Sequence, residues 1–217
     1  MKTKLFISNA DIVDQQFLDF CDLKEIELVA KSLIDFRAVD YTSSFDTDVV
    51  FFSSPRAVDF FLPAIKHKGF QLACLGSGTA NRLKEYGYDA DFVGSNSGEP
   101  SIVSREFQLW LGDRKALFPL STISNRSISS NIPENQKLEL VVYETVSASE
   151  SIEPCDLYVF TSPSNVFAFL EKNIFPENAR VIAWGKATER KLKELNFYPE
   201  ITLRNSSLRD LEQALAL

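Results

Sequence analysis

The sequence predicts an α/β protein made of two similar parallel-sheet domains that arise from an internal duplication. Two observations carry this. Short apolar runs alternate along the chain with segments of helical periodicity, the pattern of parallel sheets covered by helices on both faces. The chain also repeats itself. Residues 49–62 (VVFFSSPRAVDFFL) and 157–170 (LYVFTSPSNVFAFL) are identical at six of fourteen positions, at an offset of 108. Residues 72–88 (LACLGSGTANRLKEYGY) match 181–197 (VIAWGKATERKLKELNF) at an offset of 109, sharing Gly76/Gly185, Thr79/Thr188 and a Leu-Lys-Glu run. A fainter echo pairs IELVA (26–30) with LELVV (138–142). Such a period exceeds the roughly 20–50 residues of solenoid repeats.

Strands are expected at 3–8, 26–31, 48–53, 71–75, 89–93, 114–118, 137–144, 156–161, 180–184 and 199–203. Helices are expected near 11–22, 55–67, 78–87, 99–111, 163–173, 187–196 and 206–216. In the second of these, Val58, Phe61, Leu62 and Ile65 fall on one helical face. The stretch 124–133 (SNRSISSNIP) has poor helix propensity and predicts an irregular turn. Two polar, Ser- and Asp-rich stretches, 36–45 and 146–154, read as connectors at equivalent points of the repeat. A single cut near 112 would give two sequential domains. Cuts at both connectors would give a discontinuous domain, 1–35 plus 147–217, and a continuous one, 36–146, with two crossing strands as the hinge. The residues alone leave both divisions open.

Composition narrows the function. Hydrophobic residues make up 45% and charged residues 24% of the 217, a globular balance. A net charge of −7 argues against nucleic-acid and anionic-membrane partners, which favour basic surfaces. No stretch reaches the ~18 apolar residues of a membrane span. After Lys2 and Lys4 the apolar run stops at Ile7, so the first residues read as a strand and not as a leader. Cys21, Cys74 and Cys155 are isolated, with no CxxC, which suits a reduced, cytoplasmic protein without a disulfide framework. The single histidine, His67, sits at an expected helix end; one histidine rules out a His-rich metal site, and hydrolysis by a Ser-His-Asp triad would need it. GSGTAN (76–81) lacks the third glycine of a dinucleotide fingerprint.

The chemistry is expected in four turns. Phe52-Ser53-Ser54-Pro55 and Phe160-Thr161-Ser162-Pro163 each run from a strand into a Ser-Pro pair. Serine is a preferred N-cap and proline suits the first helical position. Gly76-Ser77-Gly78-Thr79 and Gly185-Lys186-Ala187-Thr188 repeat the design, with glycine permitting close approach to the backbone. Capping alone accounts for any one such turn. Four at matching points, all at the carboxyl ends of strands where open α/β sheets bind ligands, describe an anion-binding surface.

FSSPRAV (52–58), LGSGTA (75–80), LFP (117–119), VYET (142–145), FTSPSNV (160–166) and the Gly185/Thr188 turn occur in an order and spacing that resemble the uroporphyrinogen-III synthase family. The resemblance spans nearly the whole chain. It implies a cofactor-free hydro-lyase of tetrapyrrole (heme and siroheme) synthesis, cytoplasmic and monomeric, in transient contact with hydroxymethylbilane synthase. Members close hydroxymethylbilane to uroporphyrinogen III, inverting the last ring and releasing water. The resemblance also implies the discontinuous division, two α/β domains joined by a two-stranded linker with the site between them. It assigns Tyr143 as the proton donor, and Ser53, Ser54, Arg56, Thr79, Arg126, Ser162 and Thr188 to substrate binding. Arg56 has Ser164 as its partner in the repeat, and that asymmetry marks it for function. Glu189 follows Thr188 where alanine is commoner in the family, and a carboxylate aimed at that turn would repel an anionic substrate. The alternatives are a non-catalytic two-lobed tetrapyrrole or carboxylate sensor, and an interaction protein that kept the fold and lost its site. Neither needs Tyr143, Arg56 and both Ser-Pro turns together.

Overall fold

The computed structural model describes residues 2–10, 12, 14–42, 45–64 and 69–216. In chain order the elements are β1 (Thr3–Ile7), α1 (Gln15–Leu23), β2 (Ile26–Ala30), β3 (Ile34–Ala38), β4 (Val49–Phe52), α2 (Pro55–Phe61), β5 (Gln71–Cys74), α3 (Ser77–Glu85), β6 (Phe92–Val93), α4 (Pro100–Leu111), β7 (Ala116–Ser121), β8 (Lys137–Ser147), β9 (Leu157–Phe160), α5 (Pro163–Lys172), β10 (Arg180–Ala183), α6 (Lys186–Glu194), β11 (Ile201–Thr202) and α7 (Leu208–Leu215). Two compact units result, Met1–Asp35 with Val146–Leu217, and Phe36–Thr145. None of the described helices is long and apolar enough to cross a membrane.

The first unit is built on a five-stranded sheet of order β2-β1-β9-β10-β11, parallel at every pair. Successive β9 residues feed opposite faces, as a strand's two-residue period demands. Leu157 and Val159 join Phe17, Cys21 and Leu211 beneath α1 and α7. Tyr158 and Phe160 join Val166, Phe169 and Leu192 beneath α5 and α6. Chain order reverses between β1 and β9, which makes that junction the topological switch point of the sheet.

The second unit is built on strands in the order β3-β8-β7-β4-β5-β6. Pairs from β8 to β6 are parallel. Val50 and Phe52 pack against Val58, Phe61 and Leu83, while Val49 and Phe51 pack against Val103, Phe107 and Leu111 of α4. The switch point here lies between β4 and β7. Where the first unit carries α1, the link from β7 to β8 holds only two 3₁₀ turns, Ser129–Asn131 and Glu134–Gln136, in keeping with the poor helix propensity of that stretch.

Several expected boundaries move for identifiable reasons. The helix expected over 55–67 stops at Phe61 and passes into a 3₁₀ turn, Leu62–Ala64. Pro63 has no N–H to continue it. Ile65 and His67, with the helix end expected there, lie outside the described residues. The strands expected at 89–93 and 199–203 shrink to two residues each at the sheet edges. The polar stretch expected from Phe36 begins within a strand: β3 pairs with β8, which itself runs to Ser147. Its pattern is amphipathic only weakly, with two of the five residues in IDFRA charged, so periodicity could not raise it above a polar loop. Val39 N–H bonds the Val142 carbonyl and Ala148 N–H bonds the Leu33 carbonyl. The numbers rise on one strand as they fall on the other, so this pair is antiparallel, and the second sheet is mixed.

Candidate active site

In the second unit, Ser54 caps α2. Its side chain accepts the Ala57 N–H at 3.2 Å, and Pro55 follows at the first helical position. Capping thus takes one of the first amides and proline removes another, leaving at most the Arg56 N–H of the first three as an anion ligand. What the turn offers is mainly side-chain chemistry. The Ser54 hydroxyl also lies 3.5 Å from the Tyr143 hydroxyl. Ser53 sits half-buried beside it, at the end of β4.

Tyr143 reaches this point because β8 is bulged. Leu120 pairs with Val141 but Ser121 pairs with Tyr143, so β8 carries one extra residue there. In a regular strand Val142 and Tyr143 would face opposite ways. A bulge re-aims the side chain, and both residues enter the same core cluster with Phe52 and Phe61. The Tyr143 ring stacks on Phe60 (centroids 5.2 Å apart, planes 15° apart) and meets the Phe36 ring edge-on at 6.0 Å. Arg56 lays its guanidinium 4.2 Å above the centre of the Phe36 ring. Its ion pair with Asp59 is looser, 3.6 Å, because Asp59 is engaged more closely by Arg82 at 2.5 Å.

In both Gly-x-x-Thr turns the glycine is the N-cap and no side chain caps the helix. Gly76 O takes the Thr79 and Ala80 amides. The Ser77 and Gly78 amides precede them at the positively polarised end of α3. Thr79 and Thr188 are buried, so they act as packing of the turn more than as exposed hydroxyls. Glu189 is turned along its helix to Lys193 at 2.6 Å, which holds its carboxyl below the usual range. The repulsion that a carboxylate here threatened is thereby met within α6.

The first unit carries its own cluster at the switch point. Thr161, at the end of β9, donates its N–H to the Ser8 hydroxyl at 2.8 Å and its own hydroxyl to the Ser8 carbonyl at 2.8 Å. Ser162 caps α5, accepting from Asn165 N–H at 3.3 Å and from the Asn165 side-chain amide at 3.1 Å.

Of the expected residues, Ser53, Ser54, Arg56 and Tyr143 come together in one unit, and Thr79 lies in the first turn of α3, which follows the neighbouring strand β5. Ser162 and Thr188 hold corresponding places in the other. Arg126 stands apart. It adopts a left-handed backbone (φ 55°) and its guanidinium Nε bonds Glu139 Oε2 at 2.7 Å. Burial works against ionisation of Glu139, but the Ser129 hydroxyl and Arg126 together hold its carboxyl below the usual range. Arg126 is therefore already neutralised.

Reading the sequence overlooked Phe36, Phe60, Ser8 and two serines that crowd the glycine turns. Ser97 Cβ lies 2.7 Å from where a Gly76 Cβ would be, and Ser206 Oγ lies 3.0 Å from the same point on Gly185. The sole signal for the last two is their matching position, after the edge strands β6 and β11.

The family model described as uroporphyrinogen-III synthase HemD matches residues 26–211. Comparison with curated protein sequences gives no significant match. Among solved structures, the chain resembles uroporphyrinogen-III synthetase from Helicobacter pylori at 20% identity and a TM-score of 0.73, covering 100% of this chain and 99% of that one. It resembles a mutant uroporphyrinogen III synthase from Thermus thermophilus at 12% identity and a TM-score of 0.57, covering 99% and 97%. At these identities the likeness establishes a shared fold.

Proposed function

The chain belongs to the uroporphyrinogen-III synthase family and is a lyase of porphyrin biosynthesis; from that premise we propose that Tyr143 is its proton donor. The observation that supports this is the approach of the Tyr143 hydroxyl to Ser54 at the carboxyl end of β4. Ser54 Oγ already accepts from Ala57. Either hydroxyl can be the donor between them; when Ser54 donates to Tyr143, the tyrosine proton is left to be directed elsewhere.

The substrate in this reading is hydroxymethylbilane, with eight carboxylates. Proton transfer from Tyr143 lets the hydroxyl of the first ring leave as water, forming an azafulvene cation. The last ring attacks through its substituted carbon, giving a spiro intermediate; the bond from that carbon to its original methylene then breaks, the methylene bonds the ring's free α-carbon instead, and that carbon's proton is lost, which leaves the ring inverted. The substrate supplies both reacting carbons, so the protein contributes mainly orientation and one acid. Arg56 is suited to a substrate carboxylate because its own ion pair is loose. Ser53, Ser54 and Ser162 offer hydroxyls. Thr79 and Thr188 shape the turns whose preceding amides meet carboxylates. Arg126 takes part only by exchanging Glu139 for substrate.

The same reading takes the units as two domains, 1–35 plus 147–217 and 36–146, born of one duplication. The matching strand orders β2-β1-β9-β10-β11 and β8-β7-β4-β5-β6 support it. The antiparallel pair β3 and β8 is then the linker, since both strands run through the unit boundary. It also takes the protein as a cytoplasmic, cofactor-free monomer that meets hydroxymethylbilane synthase transiently; three unpaired, buried cysteines suit a reducing compartment.

The test is to generate hydroxymethylbilane in situ, add the protein and resolve the product isomers. Type III product is expected. Type I alone, the product of spontaneous closure, would overturn the enzyme reading, and full turnover by a folded Tyr143→Phe variant would overturn the donor assignment.

A further inference from the structure

We infer that Phe36 is a positioning residue that sets Tyr143 and Arg56 relative to each other; this rests on the donor role proposed for Tyr143. Phe36 carries no polar group and takes no part in proton transfer. Its ring nevertheless touches both groups on which the chemistry depends. It meets the Tyr143 ring edge-on, with planes 65° apart, and its face lies 4.2 Å beneath the Arg56 guanidinium.

Each contact has a physical consequence. A tyrosine ring turns about two side-chain torsions, and a donor must be held near its productive geometry. Phe60 restrains the Tyr143 ring by its face and Phe36 by its edge, the two favoured arrangements for aromatic pairs. Removing the Phe36 ring frees the second restraint. Arg56 also pairs with Asp59, but at 3.6 Å and with Arg82 as the closer partner of that carboxylate. The planar, weakly hydrated guanidinium gains from stacking on an aromatic face. Phe36 therefore supports Arg56 as well.

Phe36 lies on β3, whose neighbour in the sheet is β8, the strand that carries Tyr143. Val39 N–H bonds the Val142 carbonyl at 3.0 Å, next to Tyr143. The backbone thus fixes the height of Phe36 against Tyr143, while its ring carries that position across to α2. One side chain then couples the acid that starts the reaction to the cation that holds a substrate carboxylate.

The test uses the full chain with hydroxymethylbilane generated in situ. Phe36→Leu removes the ring. It is expected to lower kcat about tenfold, since small displacements of a positioned group are costly. It should raise KM roughly two- to fivefold, the scale of an exposed cation–π contact. More type I product should escape alongside type III. Phe36→Tyr should recover most of the kcat. Should Phe36→Leu fold poorly, Phe36→Met, which fills the space without a ring, takes its place and should show the same losses. A merely structural residue would not show the decisive result, which is coupling. In the Tyr143→Phe background, Phe36→Leu should cost little further kcat, and in the Arg56→Leu background little further KM. Equal losses in the wild-type and Tyr143→Phe backgrounds would overturn the inference. So would wild-type kcat in folded Phe36→Leu while Tyr143→Phe is impaired, which leaves the donor assignment standing. Full turnover in Tyr143→Phe would remove both.

Discussion

The side-chain carbonyl of Asn165 accepts the backbone N–H of Leu33 at 2.8 Å, in the buried interior of the first unit. Asn165 is also tied to the Ser162 cap, so one amide links the start of α5 to the segment entering β3. Asn165→Ala would leave the Leu33 N–H buried without its acceptor, at a cost of about 1–3 kcal/mol. Ser104 provides the contrast, since its hydroxyl is buried in α4 with no partner. Ser104→Ala should leave stability unchanged or raise it by up to about 1 kcal/mol. The denaturant midpoint should therefore fall in Asn165→Ala and hold or rise in Ser104→Ala, and a large loss in Ser104→Ala would contradict the account of that hydroxyl.

Ser54→Ala removes a helix cap and the hydroxyl partner of Tyr143 together. The cap is worth about 1 kcal/mol. Ser207→Ala is a matched control, because Ser207 caps α7 by the same bond to Asp210 N–H. Both variants should lose similar stability in chemical denaturation. Only Ser54→Ala should also lose kcat at temperatures where both are folded; equal turnover in the two would detach Ser54 from the chemistry.

Acid should unfold the protein partly through Glu139, Glu189 and Glu200, whose carboxyls all sit below their ordinary 4.5 in the fold. A depressed folded value means stability that is present above the ordinary value and lost as pH falls through the depressed one. Melting temperature should thus decline as pH drops from about 4.5 downward. Glu139→Gln should flatten part of that decline, whereas an unchanged slope would show that its bonds to Ser129 and Arg126 do not favour the ionised form.

The thiols should be inert. Cys21, Cys74 and Cys155 are buried, and burial pushes Cys21 and Cys74 up to about 11. Reaction with a thiol reagent at neutral pH should wait on unfolding, since the thiolate is the nucleophile. Stoichiometric labelling of the native protein within seconds would contradict this.

Much of the molecule was legible in the residues because it rests on local chemistry. Periodicity placed most elements, and Ser-Pro and Gly-x-x-Thr located four helix starts, since capping and proline geometry act over three or four residues. The repeat pointed to four equivalent turns. It could not say what each turn exposes. Proline and the cap consume the amides at Ser54 and Ser162, burial takes Thr79 and Thr188, and Glu139 claims Arg126.

By itself, then, the sequence determined the α/β class, the repeated turns and the family resemblance, all of which depend on neighbours along the chain. Tertiary structure alone decided that β3 is a strand, that a bulge in β8 turns Tyr143 toward Ser54, and that Phe36 lies between Tyr143 and Arg56. These depend on residues roughly twenty to a hundred positions apart, brought together by strand register and core packing, which no local pattern encodes.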